Sequence, residues 1–336
     1  MKTRSATRTG CVITTNIKVS RTILIVLQET AFMPELSVII CAHNPQPAYL
    51  RRVLDALKAQ SLPKQQWELL LIDNASNAPL APACDISWHP LARHIREDEL
   101  GLTPARLRGI KESTGGLLVF VDDDNVLQSD FLANTLQIAA DFPFLGAWGG
   151  NVEGDFEGEI PGWLKPHLHA LAVREVDRDY WSNYYADNRS MPFGAGFCIR
   201  KLVATAYAQA LVSRPASKNL GRKGASLVSG EDIDMALTAY DSGFGTGLFR
   251  KLRTTHIIPK SRMTLDYLCR LLEGIEYSTH LLRKQRNSSY FPPHEPKLTR
   301  WVKAYQVWRL PDPIRSIAKA QNRGLAKAIA EFSAGS

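Results

Sequence analysis

The chain has 336 residues, of which 45% are hydrophobic and 22% charged, and this globular mixture excludes wholesale disorder. The net charge of +8 is concentrated at the ends: residues 1–32 hold five basic and one acidic side chain, and residues 283–336 hold eleven and three. The body between them is net acidic, which argues against a nucleic-acid binder. Five widely spaced cysteines indicate a reducing, cytoplasmic compartment rather than a disulfide framework, and no apolar run reaches the ~18 residues of a membrane span.

The first 32 residues differ from the rest of the chain. They are rich in Thr, Arg and Ser and show no clear period. Two interpretations are open: a disordered basic arm, or a non-native extension that precedes Met33 as the natural start. Pro34 and Glu35 then lead directly into the first predicted strand.

Apolar segments with strand and helix spacing alternate from residue 36 onward. Short apolar runs at 36–40, 69–72 and 117–121 predict buried parallel strands. Between the first two, leucine and valine side chains on one helical face predict a helix over 49–60. This alternation predicts an α/β fold with a mostly parallel central sheet flanked by helices, in which ligands bind beyond the carboxyl ends of the strands.

The strongest chemical motif is the run Asp122-Asp123-Asp124, directly after a predicted buried strand. Three neighbouring carboxylates repel one another, and this arrangement is costly unless a cation neutralises it. Carboxylate oxygens suit Mg²⁺ or Mn²⁺, and such a metal usually completes its coordination with water and substrate phosphates. The alternative is a solvated acidic turn that caps the next helix. The position at the end of an apolar strand favours the metal site.

A second motif, Gly101-Leu102-Thr103-Pro104-Ala105-Arg106, places an arginine near the start of a predicted helix. Thr103 is the predicted N-cap, and Pro104 is the first helical residue. Free backbone N–H groups, the helix dipole and the guanidinium group all favour a phosphate at this position. Taken alone, an arginine here is more often the partner of a surface salt bridge.

Glu231 and Asp232 begin another predicted helix, directly after Gly230. Two acids at a helix start can present a carboxylate into a cleft, and a general base for a sugar hydroxyl needs that placement. Acids in the first helical turn also stabilise the helix through its dipole, so a purely structural role is the competing interpretation.

Two weaker signals accompany these motifs. The small residues Gly194, Ala195 and Gly196 allow the backbone to approach a ligand closely, and a packing turn explains them equally well. His256 is a candidate metal ligand only through its order after the acidic motifs, because a lone histidine is more often a core or surface residue.

In their order along the chain, these motifs resemble glycosyltransferase family 2, whose members have the GT-A fold and use nucleotide-diphospho-sugar donors. The resemblance covers residues 35–260 and is carried by Ala42-His43-Asn44, Asp73-Asn74-Ala75-Ser76, Gly101 to Arg106, Asp122-x-Asp124, Gly194-Ala195-Gly196, Glu231-Asp232 and His256. It implies a GT-A catalytic domain over 33–262, with a nucleotide-binding half at 33–143 and an acceptor half at 144–262. It also implies an inverting, metal-dependent sugar transfer to a glycan or lipid-linked acceptor, in cell-surface polysaccharide or glycoconjugate synthesis.

The resemblance implies a role for each matching residue. Residues that would contact the donor nucleotide are Ala42, His43, Asn44, Asp73, Arg106, Asp122 and Asp123. Asp124 and His256 would hold Mn²⁺ or Mg²⁺, and Asp232, ahead of Glu231, would be the catalytic base. Trp163 and the loop Gly194-Ala195-Gly196 would flank the sugar and the acceptor.

Three departures from the family pattern leave details open. Cys41-Ala42-His43 replaces the commoner Pro-Thr-Tyr, so the nucleobase is not determined. Leu107 follows Arg106 where Asn is common. Because the acidic motif consists of aspartates alone, either Asp123 or Asp124 can be the main metal ligand.

The C-terminal segment 263–336 is predicted to be a basic helical extension, with helices over 264–286 and 298–332. Within 313–332, apolar and basic side chains follow helical spacing: Ile314, Ile317, Leu325 and Ile329 with Arg315, Lys319, Arg323 and Lys327. A basic amphipathic helix can contact an anionic membrane surface. Packing on the catalytic domain, with a solvated basic face, is the other interpretation. Nothing in the sequence indicates the oligomeric state.

Two other functions fit such a fold less well. A nucleotidyltransferase that makes sugar nucleotides needs a Gly-rich basic loop after the first strand, and Asn44-Pro45-Gln46-Pro47 is not such a loop. A non-catalytic nucleotide- or glycan-binding relative is disfavoured by the intact Asp122-x-Asp124 and Glu231-Asp232 motifs. The acidic body makes nucleic acid the least favoured partner.

Overall fold

A nine-stranded sheet runs through the part of the chain that the structure, a computed structural model, describes: residues 34–185, 187–213, 220–222, 227–292 and 296–334. The predictions for residues 1–32 lie outside this part. The strands are β1 Leu36–Ala42, β2 Trp67–Asn74, β3 Ala92–Glu97, β4 Leu117–Asp122, β5 Asn125–Leu127, β6 Leu145–Phe156, β7 Tyr180–Ser182, β8 Phe197–Arg200 and β9 Gly245–Ile258. The α-helices are α1 Pro47–Lys58, α2 Leu102–Glu112, α3 Phe131–Asp141, α4 Lys201–Ser213, α5 Glu231–Asp241, α6 Leu265–Arg286, α7 Lys297–Arg309 and α8 Ile314–Ala334.

The three strands predicted from apolar runs, β1, β2 and β4, lie side by side in the sheet. Its order is β3-β2-β1-β4-β8-β6-β9-β5, with β7 paired to β9. Parallel ladders join β1 to β2 and β4, β2 to β3, and β6 to β9, whereas β5, β7 and β8 pair with antiparallel neighbours. Six of the nine described strands therefore share one direction. The predicted α/β class and mostly parallel sheet are confirmed.

Helices cover both faces of the sheet because strand side chains alternate between the faces. On one face, Val38 and Ile40 of β1 belong to a hydrophobic cluster that includes the apolar side chains of α1 and α3. On the other face, Ile39 of β1 belongs to a cluster with residues of α2, α4 and α5. Strands buried on both faces need apolar residues at every position, which explains why the sequence shows them as continuous runs.

The start of α2 differs from the prediction. Its N-cap is Gly101 at φ +142°, and Thr103 lies inside the first turn. The Thr103 hydroxyl donates a hydrogen bond to Glu231 Oε2 at 2.7 Å instead of capping the helix. The predicted threonine cap is therefore wrong, because this side chain connects α2 to α5.

The helix predicted over 298–332 is divided into α7 and α8. Pro311 and Pro313 follow the end of α7 and prevent a continuous helix. One side of α8 is buried against α6. Gly324 is required at this contact, because a Cβ atom there would lie 2.4 Å from the Glu273 carbonyl oxygen of α6. Among the described helices, none combines the length and the hydrophobicity that a membrane span requires.

Candidate active site

A cavity of about 510 Å³ lies beyond the carboxyl ends of β1 and β4, where the alternating fold predicts a ligand site. Its wall brings together eleven of the fifteen predicted site residues. They are Ala42, His43, Arg106, Asp122, Asp123, Asp124, Gly194, Ala195, Glu231, Asp232 and His256. Four predicted residues do not line it: Asn44, Asp73, Trp163 and Gly196.

Asp73 and Asn44 hold the loop that follows β2. Asp73 accepts hydrogen bonds from the Ser76 and Leu80 backbone N–H groups and from Arg96 Nη1 at 2.9 Å. Burial raises the pKa of Asp73, but these hydrogen bonds lower it by more, so the carboxylate stays ionised. Asn44 Oδ1 accepts the Asn77 N–H at 2.9 Å. Both side chains therefore shape the loop rather than face the cavity.

Trp163 and Gly196 also have positions away from the cavity wall. Trp163 packs against a hydrophobic cluster that includes Ile258, Met263 and Leu268. Gly196 lies directly before β8, with its backbone at φ +67°. The sequence prediction placed both residues beside the sugar and acceptor, and neither residue lines the cavity.

Hydrogen bonds fix the wall between β1, β2 and α2. His43 Nδ1 donates to the Asn74 carbonyl oxygen at 2.7 Å, and Asn44 donates to His43 Nε2 at 3.0 Å. The Asn74 side chain accepts the Gly101 N–H at 2.9 Å, which joins the end of β2 to the start of α2. The imidazole ring is thereby held in one orientation at the cavity edge.

Strand pairing brings His256 next to the aspartate run. Asp122 ends β4, and Asp123 and Asp124 form the turn into β5. In the antiparallel register of β5 and β9, Asn125 lies opposite His256, and His256 Nε2 is 3.5 Å from Asp124 Oδ2. His256 Nδ1 donates to the Leu171 carbonyl oxygen at 2.9 Å, which orients the ring with Nε2 towards Asp124.

Arg262, which the sequence analysis missed, contacts the same two side chains. It lies in the short 3₁₀ turn Lys260–Met263, and its Nη1 is 2.9 Å from Asp124 Oδ2 and 3.3 Å from His256 Nε2. Burial raises the pKa of Asp124, but His256 and Arg262 lower it further, to about 2. Burial, Asp124 and Asp122 raise the pKa of Asp123 to about 7. Two arginines therefore serve the three carboxyl groups of the run: Arg262 beside Asp124, and the buried Arg106, whose Nη2 is 3.6 Å from Asp122 Oδ1.

Asp124 and His256 fit a divalent cation by the chemistry of their donor atoms. A carboxylate oxygen and an imidazole nitrogen oriented by a backbone carbonyl form a common ligand pair. Within the described residues, no group of three His, Cys, Asp or Glu side chains is arranged to hold a metal. A bound ion would therefore take its remaining ligands from a diphosphate and from water.

Glu231 is enclosed by partners from α2. Its Oε1 lies 2.7 Å from Arg106 Nη1, and both side chains are at most 4% exposed. Its Oε2 accepts the Thr103 hydroxyl. Burial lowers the pKa of Arg106, but Glu231 and Asp122 raise it by more, so the arginine stays charged. The guanidinium of Arg106 thus pairs with Glu231 through Nη1 and lies 3.6 Å from Asp122 Oδ1 through Nη2.

Asp232, the next residue, is held differently. Its two carboxylate oxygens accept the backbone N–H groups of Gly194 and Ile233, each at 2.9 Å. A side chain at Gly194 would crowd this contact, because a Cβ atom would lie 3.2 Å from Arg106 Nη2 and 3.3 Å from Asp232 Oδ2. The remaining lone pairs of the Asp232 carboxylate are available to a molecule in the cavity.

Arg222 is a second cavity residue that the sequence analysis missed. Its carbonyl oxygen accepts the Leu102 N–H at 3.0 Å, and its side chain is exposed in the cavity wall. The arginine belongs to a polar segment, 213–230, with several basic residues. The basic composition of this segment is the one sequence signal for an anion site here. It does not distinguish Arg222 from the other basic residues of the segment.

Comparisons with known proteins identify the family of this chain. Residues 37–204, half of the chain, match Glycosyl transferase family 2. Glycosyltransferase AglE of Haloferax volcanii is 32% identical over 98 residues, which span 28% of this chain and 32% of AglE. An uncharacterized protein of Sinorhizobium fredii, y4gI, is 28% identical over 109 residues, which span 31% of this chain and 12% of y4gI.

The fold is also similar to a solved structure. The crystal structure of S. aureus TarS aligns with a TM-score of 0.51 and 12% identity, over 89% of this chain and 54% of that chain. The aligned regions thus span about a third of AglE, an eighth of y4gI and half of TarS. The chain belongs to glycosyltransferase family 2 and has the GT-A fold, so the resemblance seen in the sequence is confirmed.

Proposed function

We propose that this protein transfers a sugar from a nucleoside-diphosphate sugar to a hydroxyl of a glycan or lipid-linked acceptor, with inversion at the anomeric carbon. One observation carries the proposal. A carboxylate held by backbone N–H groups, Asp232, shares a cavity with the Asp124–His256 pair, which fits a metal ion. A glycosyl transfer needs both a proton acceptor and positive charge for the leaving group.

Asp232 acts as the general base. It takes the proton of the acceptor hydroxyl while that oxygen attacks the anomeric carbon. The bond between this carbon and the diphosphate oxygen breaks in the same displacement, so the configuration inverts. The Gly194 and Ile233 N–H groups orient the carboxylate for this transfer. Glu231 is the less suitable base, because Arg106 and Thr103 occupy both of its oxygens.

The diphosphate gains negative charge as it leaves. A bound Mn²⁺ or Mg²⁺ supplies a Lewis acid for that charge, and Asp124 and His256 are the residues that would hold it. Arg222 and Arg262 in the cavity wall add positive charge. Arg106 was predicted to contact the nucleotide or the diphosphate. Because its side chain is buried in an ion pair with Glu231, we propose that it positions the acids.

The proposed setting is the synthesis of polysaccharides or glycoconjugates for the cell surface, from nucleotide sugars in the cytoplasm. The described cysteines, Cys41, Cys84, Cys198 and Cys269, are free thiols, as is typical of a reducing compartment. The donor nucleotide would lie against His43 and Asn74, and the acceptor would reach Asp232 past Gly194 and Ala195.

Calorimetric titration of nucleoside diphosphates, with and without Mn²⁺, is the first test. We expect one nucleoside diphosphate to bind more tightly when Mn²⁺ is present, because the diphosphate completes the metal coordination. A screen of the matching sugar nucleotides then measures donor hydrolysis and, by NMR, the anomer released. Tight nucleotide binding without any turnover would identify the non-catalytic alternative. Formation of a sugar nucleotide from a sugar phosphate would identify the nucleotidyltransferase.

A further inference from the structure

Helix α7 carries a face of large apolar side chains that the described fold does not cover. Leu298, Trp301, Val302, Tyr305 and Trp308 are all exposed, the two tryptophans by 76% and 64%. At 3.6 residues per turn, these five positions fall within an arc of about 120° on the helix surface. The helix therefore presents one continuous aromatic face, and none of its described side chains is buried.

The neighbouring helix α8 shows what happens to an apolar face that the fold uses. Its Ile317, Ala320, Ala328 and Phe332 side chains are buried, and the helix packs along α6. The sequence left two interpretations of 313–332 open, membrane contact or packing on the catalytic domain, and the buried side of α8 favours packing. The exposed apolar face lies instead on α7, one helix earlier in the chain.

The charge of α7 identifies the kind of partner that fits it. The thirteen residues of Lys297–Arg309 include four basic residues and no acidic one. Tryptophan and tyrosine rings lie at the level of lipid headgroups, and nearby Lys and Arg side chains attract anionic lipids. A thirteen-residue helix is too short to span a bilayer, so it would lie in the plane of the interface.

We infer that α7 binds the surface of an anionic membrane, with its aromatic face in the headgroup region. A second copy of this chain fits the helix less well. A symmetric dimer would place the same patch of each copy against the other, and two helices with a charge of +4 each would then repel.

The position of α7 in the chain connects this membrane contact to the cavity. It precedes α8, whose Gln321 lines the cavity together with Leu272, Ile275 and Thr279 of α6. Membrane binding would bring the cavity near the lipid surface, where a lipid-linked acceptor is anchored. This connection rests on the proposed function, whereas the membrane contact itself does not.

Vesicle flotation of the full-length protein tests the inference. The double variant Trp301→Ala/Trp308→Ala removes the two largest side chains of the face. Trp181→Ala is the matched control, because Trp181 is an exposed tryptophan on a different element, strand β7. We expect the wild type and the control to float with vesicles of phosphatidylglycerol and phosphatidylcholine, and less in high salt. The double variant should lose at least about tenfold in vesicle partitioning.

Equal flotation of the wild type and the double variant, or no flotation of the wild type, would overturn the inference. Sedimentation velocity without lipid covers the alternative occupant. A wild-type dimer that the double variant dissociates, together with absent vesicle binding, would show that α7 is an interface between copies. Hydrolysis of a soluble sugar nucleotide should be unchanged in the double variant, so a failure of the membrane contact is distinct from a failure of the proposed enzyme activity.

Discussion

The two acidic segments of the cavity are neutralised in different ways. In the first turn of α5, Glu231 pairs with Arg106 and Asp234 with Arg286, and both arginine side chains are at most 9% exposed. At the end of β4, Asp124 pairs with Arg262, whose side chain is 28% exposed and belongs to a short turn.

Buried and exposed ion pairs respond differently to a competing ligand. A buried pair is costly to separate because each charge would be left without solvent, whereas a partly exposed pair exchanges at little cost. The α5 segment, Glu231 to Asp234, is therefore a rigid frame around one proton acceptor, Asp232. In the β4 segment, Asp122 to Asp124, an incoming cation can take the place of Arg262 beside Asp124.

The largest effect is expected at the β4 segment. Replacing Asp124 with Ala removes the carboxylate of the Asp124–His256 pair, and metal-dependent binding of nucleoside diphosphate should be lost. Donor hydrolysis and transfer should fall below detection, because the leaving diphosphate would lack its counter-charge. The protein should stay folded, since Arg262 can turn towards solvent; circular dichroism and thermal melting check this.

Asp155→Ala is the control for this experiment, because Asp155 is an exposed aspartate that pairs with Arg52 on the surface. It should keep metal-dependent binding and turnover. Full turnover in the folded Asp124→Ala variant would reject the metal role of this residue.

The next largest effect is expected at the α5 segment. Asp232→Asn keeps the size of the side chain and removes the proton acceptor, so kcat for transfer should fall by about 10²–10⁴-fold. The affinity for the nucleoside diphosphate with Mn²⁺ should be unchanged, as titration calorimetry would show. Asp241→Asn is the matched control, because Asp241 is a half-exposed acid at the end of the same helix, and Arg286 keeps its buried partner Asp234. Transfer at the wild-type rate by Asp232→Asn would assign the base to another residue.

A smaller effect on turnover, but a clear one on stability, is expected for Glu231→Gln. The change removes the nearest counter-ion of the buried Arg106 and leaves it only the longer contact with Asp122 Oδ1, at 3.6 Å, so the free energy of unfolding should fall by about 3–5 kcal/mol. Urea denaturation measures this loss. Adding Arg106→Met to the same chain should restore part of the stability, because the unpaired charge is removed as well. An unfolding free energy equal to that of the wild type would show that the ion pair is not part of a rigid frame.

The sequence predicted the part of the fold that local patterns encode. Buried parallel strands have continuous apolar runs, so β1, β2 and β4 and the polar residues at their ends could be found directly. Short antiparallel strands such as β5 and β8 give no such signal, because three or four residues carry no period. Their pairing partners lie far along the chain, and only the folded sheet shows that Asn125 lies opposite His256.

The composition of the candidate site was easier to predict than its charge arrangement. Order along the chain selected Asp122, Asp124, Asp232 and His256, and all four line the cavity. The choice between Glu231 and Asp232 depends on which acid Arg106 pairs with, and that contact joins residues 125 positions apart. Arg262 has no pattern around it, and its contact with Asp124 follows from the turn after β9.

The smallest expected effect tests whether Arg262 is the exchangeable cation of the β4 segment. Arg262→Gln removes the guanidinium beside Asp124, so Mn²⁺ should bind about tenfold more tightly without nucleotide, which corresponds to about 1.4 kcal/mol. Titration calorimetry measures this affinity, and Arg270→Gln, an exposed arginine on α6 that pairs with Asp266, is the control. Unchanged Mn²⁺ affinity would mean that the guanidinium does not compete with the metal. Transfer that survives chelation in the wild type but not in Arg262→Gln would mean that the arginine itself neutralises the diphosphate, and the β4 segment would then resemble the rigid α5 segment.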